Sequence, residues 1–328
     1  MLPLLAGRRQ LRCERSMHMK RYVIRRMISL IPMLLVLSFF SFLLLDMAPG
    51  DPVEKKLMSQ GIAVTKEVLE AERIRMGLDR PFLARYFSWL LGALHGDLGI
   101  SYKDGLSVAG KLADGLQNTI RLASFSLLLA VLVSIPVSIV SAVKQDSFFD
   151  TVSGFFAFVS NSIPNFLVSV LLMYLFCIRL KLFPVIAGNS LQGLFLPVVS
   201  LAIPMTGRFI RQFRAEIIDQ LDQDYVTGIR ARGVLEHLVL FSNVLRNSMG
   251  HMITIIGLSI GTLMGGSVVI ETIFRWAGVG KLVMESITAR DYPVVQGFVL
   301  LMGTIYLVIG IITDLIFVTL DPRTEITS

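Results

Sequence analysis

Charge and cysteine are what this chain is short of. Only 17% of its 328 residues are charged, against about a quarter in an ordinary soluble domain. That deficit argues against a soluble globular enzyme. The two cysteines, Cys13 and Cys177, cannot build a disulfide framework, and no Cys/His spacing resembles a metal-ligand set. His95, His237 and His251 lie far apart in sequence, so no metal site is expected. Ionisable residues are also nearly missing from the apolar runs. A membrane-embedded enzyme needs clustered His, Asp or Glu at one depth, and an ion-gradient-driven secondary transporter needs charges near the midplane. The secondary transporter stands as the alternative function class.

What is abundant is apolar sequence in long blocks. Hydrophobic residues make up 54% of the chain and the mean hydropathy is +0.69. The blocks are about 20 residues long, the length of a helix crossing a hydrocarbon core. Spans are expected at Ile28–Met47, Thr119–Val143, Phe155–Ile178, Leu194–Ile210, Met252–Ile273 and Phe298–Val318. The fourth is short and holds Pro197 and Pro204. Pro136 and Pro164 are read as kinks within packed spans. The block before the first span is dense in arginine and lysine, but the apolar block is too long for a signal-peptide core, and no small-x-small cleavage site follows that apolar block. It therefore reads as an uncleaved anchor rather than a signal peptide.

The net charge of +7 follows from this class of protein, because membrane proteins keep Lys and Arg in their cytoplasmic loops. No basic patch is interleaved with aromatics, so nucleic acid is not an expected partner; membrane lipid is. Six spans put both termini in the cytoplasm. The loop between the fourth and fifth spans carries Arg208, Arg211, Arg214, Arg230, Arg232 and Arg246, which fits that orientation. The long outer loop after the first span looks folded. Phe82, Tyr86, Trp89, Leu90 and Ala93 share one helical face, started by Pro81 and stopped before Gly96. That face either packs on the membrane core or docks a soluble partner.

The stretch 211–247 is a long polar insertion between two spans. Asp224 is expected to cap a short helix, Tyr225 to Arg232, with Gly233 ending it in the left-handed conformation. A second amphipathic run follows through Val234, Leu235, Leu238, Val239, Phe241 and Leu245. The expected shape is helix, glycine elbow, helix, lying along the membrane face. Such an element either rests on lipid or is gripped by a cytosolic motor.

Several motifs then form an ordered series: MKRYVIRR at 19–26, APGDP at 48–52, GLDRP at 77–81, GDLGIS at 96–101, SIPNF at 162–166 and DQDYVTGIRARG at 222–233. ETIF at 271–274, GVG at 278–280, DYPVVQ at 291–296 and LDPR at 320–323 complete it. In order and spacing the chain resembles binding-protein-dependent ABC importer permeases of the dipeptide, oligopeptide and nickel class. The resemblance implies an all-α, six-span type I permease fold with a folded outer loop after the first span. It divides the chain into a possible N-terminal extension (1–18), an anchor helix with extracytoplasmic segment (19–117), a permease core with a coupling loop (118–320, loop 211–247) and a tail (321–328). It implies a bacterial inner-membrane location, a homologous second permease, two cytosolic ATPase subunits and an extracytoplasmic solute-binding protein. ATP and Mg²⁺ would be bound by the ATPases, leaving this chain no cofactor and no covalent chemistry. The cargo would be a peptide, nickel or another metal chelate.

By the same resemblance Asp224, Tyr225, Thr227, Arg230, Ala231, Arg232 and Gly233 would couple the chain to an ATPase. Departures exist: Thr227, Gly228 and Ile229 stand where the wider family has Glu-Ala-Ala, Leu245-Arg246 where it has Leu-Pro, and Ala277 where proline is usual, an expected loosening of that loop. Gly257, Gly261 and Gly265 line one face of the fifth span, either for packing or beside a translocation path. Glu271 faces either that path or a helix dipole, and Asp314 either serves function or snorkels to the interface. Gly105 to Lys111 mimics a phosphate loop, but Leu112 replaces the hydroxyl that would hold Mg²⁺; no nucleotide is expected there.

Overall fold

The computed structural model describes the backbone of residues 2–320 apart from 187 and 189, and the side chains of residues 25–316 apart from 187, 189 and 314. The tail at 321–328, the side chains of the possible extension at 1–18 and that of Asp314 lie outside the described residues. All the regular structure within them is helical. In chain order the helices are α1 (Leu2–Met47), α2 (Pro52–Ser59), α3 (Lys66–Arg75), α4 (Phe82–Leu94) and α5 (Val108–Val143). Next come α6 (Phe148–Ser162), α7 (Asn165–Leu172, extended as a π-helix over Met173–Arg179), α8 (Leu191–Leu221) and α9 (Asp224–Ala231). Last are α10 (Glu236–Leu238, extended as a π-helix over Val239–Val244), α11 (Leu245–Ile273), α12 (Val279–Ala289) and α13 (Tyr292–Leu320).

Among the described residues, five stretches are long and apolar enough to cross a membrane: Arg25–Met47, Val108–Val143, Leu191–Leu221, Glu236–Ile273 and Tyr292–Thr313. The remaining span is broken. Phe148–Ser162 and Asn165–Arg179 meet at 101°, and counting the pair as one crossing gives six. The expected span over Phe155–Ile178, kinked at Pro164, thus begins earlier, at Phe148, and is broken rather than merely kinked. Pro164 has no N–H to donate and forces Ile163 into extended backbone (φ −93°, ψ 126°).

The centre of the bundle is α8, with 78% of its most apolar window buried. It is longer than the expected Leu194–Ile210. Pro197 and Pro204 lie inside an unbroken helix, as packed membrane helices permit, and the polar stretch 211–221 continues it. Small residues let the neighbours come close. A Cβ on Gly207 would meet the carbonyl oxygen of Ala157 at 3.0 Å, so α6 and α8 touch backbone to backbone. Ser126, Ser134, Ser138 and Ser141 are fully buried along α5. Hydroxyls satisfied within their own helix, as Ser126 Oγ is by Leu122 O at 2.8 Å, are a usual filling for such contacts.

At the opposite end from α9, α4 lies on α1. Tyr86 packs edge-on against Phe39 and Phe42, and its hydroxyl meets Ser38 Oγ at 3.0 Å. Of the two readings of this face, packing is the one observed. The other face of α4, with Leu83, Phe87, Leu91 and Leu94, is more than half exposed. The loop after α11 is not loosened by Ala277. Asn118 Nδ2 donates to Ala277 O at 2.9 Å, and Trp276 Nε1 donates to Asn118 O at 3.1 Å.

Candidate functional site

The segment between α8 and α11 is built as a tethered arm. α8 ends at Leu221, and α9 begins after Gln223, whose backbone is extended (φ −75°, ψ 146°). Asp224 is therefore the first residue of α9 rather than its cap, a correction of the expected start. A carboxylate in the first turn still complements the helix dipole. Gly233 stands at φ +77°, the left-handed value expected of it.

Val226 anchors the arm. It is fully buried and belongs to the cluster that holds Phe213, Ile217, Val239 and Val244. Tyr225 is half-buried, and its hydroxyl donates to Gln220 Oε1 at 3.0 Å. Arg230 reaches across the glycine elbow to Glu236 with two bonds, 2.9 and 3.2 Å long. Asp224, Thr227, Arg230, Ala231, Arg232 and Gly233 are all exposed. Leu235, Leu238 and Phe241 extend that surface as exposed apolar side chains. The second helix is not a separate element lying along the membrane. Residues Glu236–Ile273 form one membrane-length helical stretch, because Val239 and Val244 bury into the core and carry the chain straight into the span.

Directly behind the arm is a contact that sequence reasoning missed. Arg214 on α8 grips Asp150 on α6 through Nε and Nη2, at 2.6 and 2.7 Å. Asp150 also accepts from Ser141 Oγ of α5 and from Asp146 N at 3.1 Å. The cation thus ties three helix ends together. A local signal exists: Ser147 caps α6, and Asp150 stands three residues on, the pattern of a capping box. Nothing in the sequence marks Arg214 as its partner.

The remaining candidates separate. A Cβ on Gly257 would meet Thr313 side-chain atoms at 2.7 Å, and one on Gly261 the Tyr306 ring at 2.9 Å. Both seat α11 on α13, whereas Gly265 faces open space. Glu271 is fully buried. It accepts from Thr119 Oγ1 at 2.7 Å, Gly280 N at 2.7 Å and Lys281 N at 3.1 Å. It holds the start of α12, so of the two readings the helix dipole is the one observed. The phosphate-loop mimic is closed by its own residues, since Lys111 Nζ is paired with Asp104 Oδ2 at 2.7 Å.

Membrane-length helices around a buried centre, with a short exposed helix tethered at one end, define a multi-pass membrane protein. Residues 134–326 match the family described as binding-protein-dependent transport system inner membrane component, and residues 19–123 match its N-terminal counterpart. The chain belongs to that family: it is an ABC importer permease of the peptide class, a subunit of a membrane complex with ATPase and binding-protein partners. It is 35% identical over 322 residues to a putative peptide permease of Brucella suis biovar 1, covering 94% of this chain and all of that one. It is 33% identical over 304 residues to the glutathione transport system permease protein GsiC of Escherichia coli K12, covering 93% and 98%. Among solved structures, the MetNI methionine ABC transporter in inward-facing form aligns with a TM-score of 0.53 at 16% identity, over 64% of this chain and 96% of that one. That likeness speaks for the fold.

Proposed function

We propose that this chain forms one half of the translocation path of an inner-membrane importer for short peptides, and that α9 is the element through which ATPase subunits drive it. The observation that carries the reading is the arm's division of labour. Val226 is sunk in the core while Asp224, Thr227, Arg230, Ala231 and Arg232 face outward. A helix merely resting on lipid would turn its apolar side outward; this one turns it inward and presents polar side chains to a partner. A push on α9 passes through Val226 to α8, and through Arg214 and Asp150 to the ends of α5 and α6.

The complex consists of this chain, a second homologous permease, two cytosolic ATPases that bind ATP and Mg²⁺, and an extracytoplasmic binding protein. Both termini and α9 are cytoplasmic, in line with the arginines of 208–246. In this reading the nucleotide chemistry belongs to the ATPases, and this chain supplies the path; among the described residues no group of His, Cys, Asp and Glu could hold a metal ion. The names of the relatives, peptide and glutathione permeases, favour short peptides over nickel or other metal chelates. An ion-gradient mechanism gains no support from the described residues: the buried carboxylates within the spans among them, Asp150 and Glu271, are engaged by Arg214 and by the start of α12.

Reconstitution tests the proposal. Liposomes holding all the subunits should accumulate a labelled dipeptide only with ATP and the binding protein, and should continue when the proton gradient is collapsed. Uptake by this chain alone, driven by a proton or sodium gradient, would overturn it.

A further inference from the structure

The break between α6 and α7 lies at membrane depth. A Cβ on Gly266 would meet Asn165 Nδ2 at 3.7 Å. Gly266 stands seven residues before the end of α11 at Ile273, about 10 Å along the helix at 1.5 Å per residue. Just before the break, Ser160 packs on α8, where a Cβ on Gly207 would meet Ser160 Cβ at 2.8 Å. Both glycines sit in interior turns of membrane-length helices.

Polar groups are left over at this bend. The last carbonyls of a helix have no partner within it, and the 101° turn keeps α7 from supplying one. Among the described residues, no hydrogen bond reaches the backbone oxygens of Asn161, Ser162 and Ile163. The side-chain amides of Asn161 and Asn165 are also without a partner; only the backbone oxygen of Asn165 is engaged, by Ser169 Oγ at 2.9 Å. These groups are reachable from outside the chain. Asn161, Ser162 and Pro164 are exposed, and Asn165 is half-buried. All of them fall within five consecutive residues, 161–165, so they stand around one bend.

Hydrocarbon does not tolerate such a set. Backbone freed from its helix at membrane depth is found only where it is buried in protein or lines a water-filled cavity. The exposure of Asn161, Ser162 and Pro164 favours the cavity. Gly265, the neighbour of Gly266, has no atom within 4 Å of where a Cβ would sit, so the α11 wall beside the bend is open. The chemistry of the set then selects the ligand. No charged residue stands between Asp150 and Arg179. Each side-chain amide carries two donors and an acceptor, and the backbone oxygens only accept. That neutral mixture matches the N–H and C=O of a peptide bond.

We infer that the bend is a subsite for the main chain of the transported peptide. Asn161 and Asn165 bond its amide groups, and the free carbonyls of Asn161, Ser162 and Ile163 accept from its N–H groups. The inference rests on the reading of this chain as half of a path for short peptides. Main-chain recognition ignores the cargo's side chains, so one bend serves many sequences. A few neutral hydrogen bonds also release what they catch, as a site within a pathway must.

The test uses the whole transporter, with its ATPases and binding protein, carrying Asn161→Cys in this chain. Modification is read by mass spectrometry of this chain's own peptides. A charged, water-borne thiosulfonate should modify the introduced thiol, and saturating dialanine with ATP should slow that reaction severalfold. In liposomes, Asn161→Leu with Asn165→Leu removes two hydrogen-bonding amides and should lower ATP-driven dialanine uptake about tenfold or more. Asn161→Gln with Asn165→Gln keeps the amides and should recover part of the loss. A thiol that reacts only with a lipid-soluble maleimide faces lipid, and one that reacts with neither reagent is covered by another subunit. Either result overturns the subsite, as does a thiol that dialanine fails to protect or undiminished uptake by the leucine pair. Those results beside normal wild-type uptake defeat this inference alone. Wild-type liposomes that take up no dialanine defeat the peptide reading itself, and this inference with it.

Discussion

The two ends of the bundle satisfy buried carboxylates in opposite ways. At the α4 end, Glu271 is held by one hydroxyl and two backbone N–H groups. Asp291, 1% exposed, is likewise held by Ser101 Oγ at 2.5 Å and Tyr102 N at 2.8 Å. Neither forms an ion pair with a cation among the described residues. At the α9 end, Asp150 is held by the forked guanidinium of Arg214. Backbone donors are immobile, so the α4 end is stapled: Glu271 joins α5, α11 and α12, and Asp291 joins the loop before α5 to the start of α13. A guanidinium rides on a long side chain and keeps its grip while the helix beneath it shifts. The end that carries α9 uses the adjustable contact, and the end that carries α4 uses the rigid one.

The largest effect should come from breaking the stapled end. Glu271→Ala leaves two buried N–H groups and the Thr119 hydroxyl without an acceptor, at about 1–3 kcal/mol for each buried group left unsatisfied. Thermal unfolding of the detergent-solubilised complex should fall sharply, and Glu271→Gln, which keeps an acceptor, should recover part of the loss. An unchanged melting curve for the alanine variant would contradict the staple.

The adjustable end should separate stability from coupling. Asp150→Asn leaves a half-buried guanidinium uncompensated and should cost about 2 kcal/mol, less than the 3–5 typical of a fully buried broken pair. Combined with Arg214→Gln in a double-mutant cycle, the two changes should be far from additive. ATPase stimulation by the binding protein should drop in both single variants; additive effects would mean that the pair is not a unit.

These staples and grips were unevenly legible in the sequence. The apolar blocks showed where most spans lie, since membrane thickness sets their length. They did not show that α8 runs on to Leu221, because Arg211, Arg214, Glu216 and Asp219 read as loop. The buried pair Phe213 and Ile217, four apart, was the available signal. The elbow at Gly233 was readable from local rules. The 101° break at Pro164 was foreseeable as a kink but not in size, since that depends on what packs around it. Glycine spacing along α11 gave the face, but only the position of Thr313 and Tyr306 on α13 separates Gly257 and Gly261 from Gly265. Long-range partners such as Asp150 and Arg214, 64 residues apart, leave no mark in a single sequence.

A smaller thermodynamic effect is expected at the elbow itself. No atom lies within 4 Å of where a Cβ on Gly233 would sit, so Gly233→Val costs only backbone strain, about 1–2 kcal/mol. The chain should still insert, yet dipeptide uptake should be lost as α9 is re-aimed. Normal uptake would remove the elbow from the mechanism.

The smallest effect is electrostatic and lies back at the α4 end. Burial alone raises Asp104, but hydrogen bonds from Lys111 and the Leu106 N–H outweigh it and hold the carboxyl below its ordinary 3.8. A depressed acid contributes stability that is present above its unfolded value and lost as pH falls through the folded one. Hydrogen exchange over residues 101–107 should therefore quicken only as pH drops below about 4, after correction for the intrinsic rate. Asp104→Asn should abolish that step. Tyr102, whose phenol burial pushes up to about 12, stays neutral throughout and adds nothing to it.

The bond from Gln296 to the Ser38 carbonyl spans 258 residues, and Leu37 lies against Gly303 nearby. The first span made by the ribosome is thus seated by the last. At 5–20 residues per second, α1 waits about 13–50 s in the bilayer before α13 arrives. Only 6% of its most apolar window is buried even then, so through that interval its partners are lipid and α4. Chain termination before residue 292 would leave an inserted α1 with no seat, a state that membrane proteases could tell from the finished subunit.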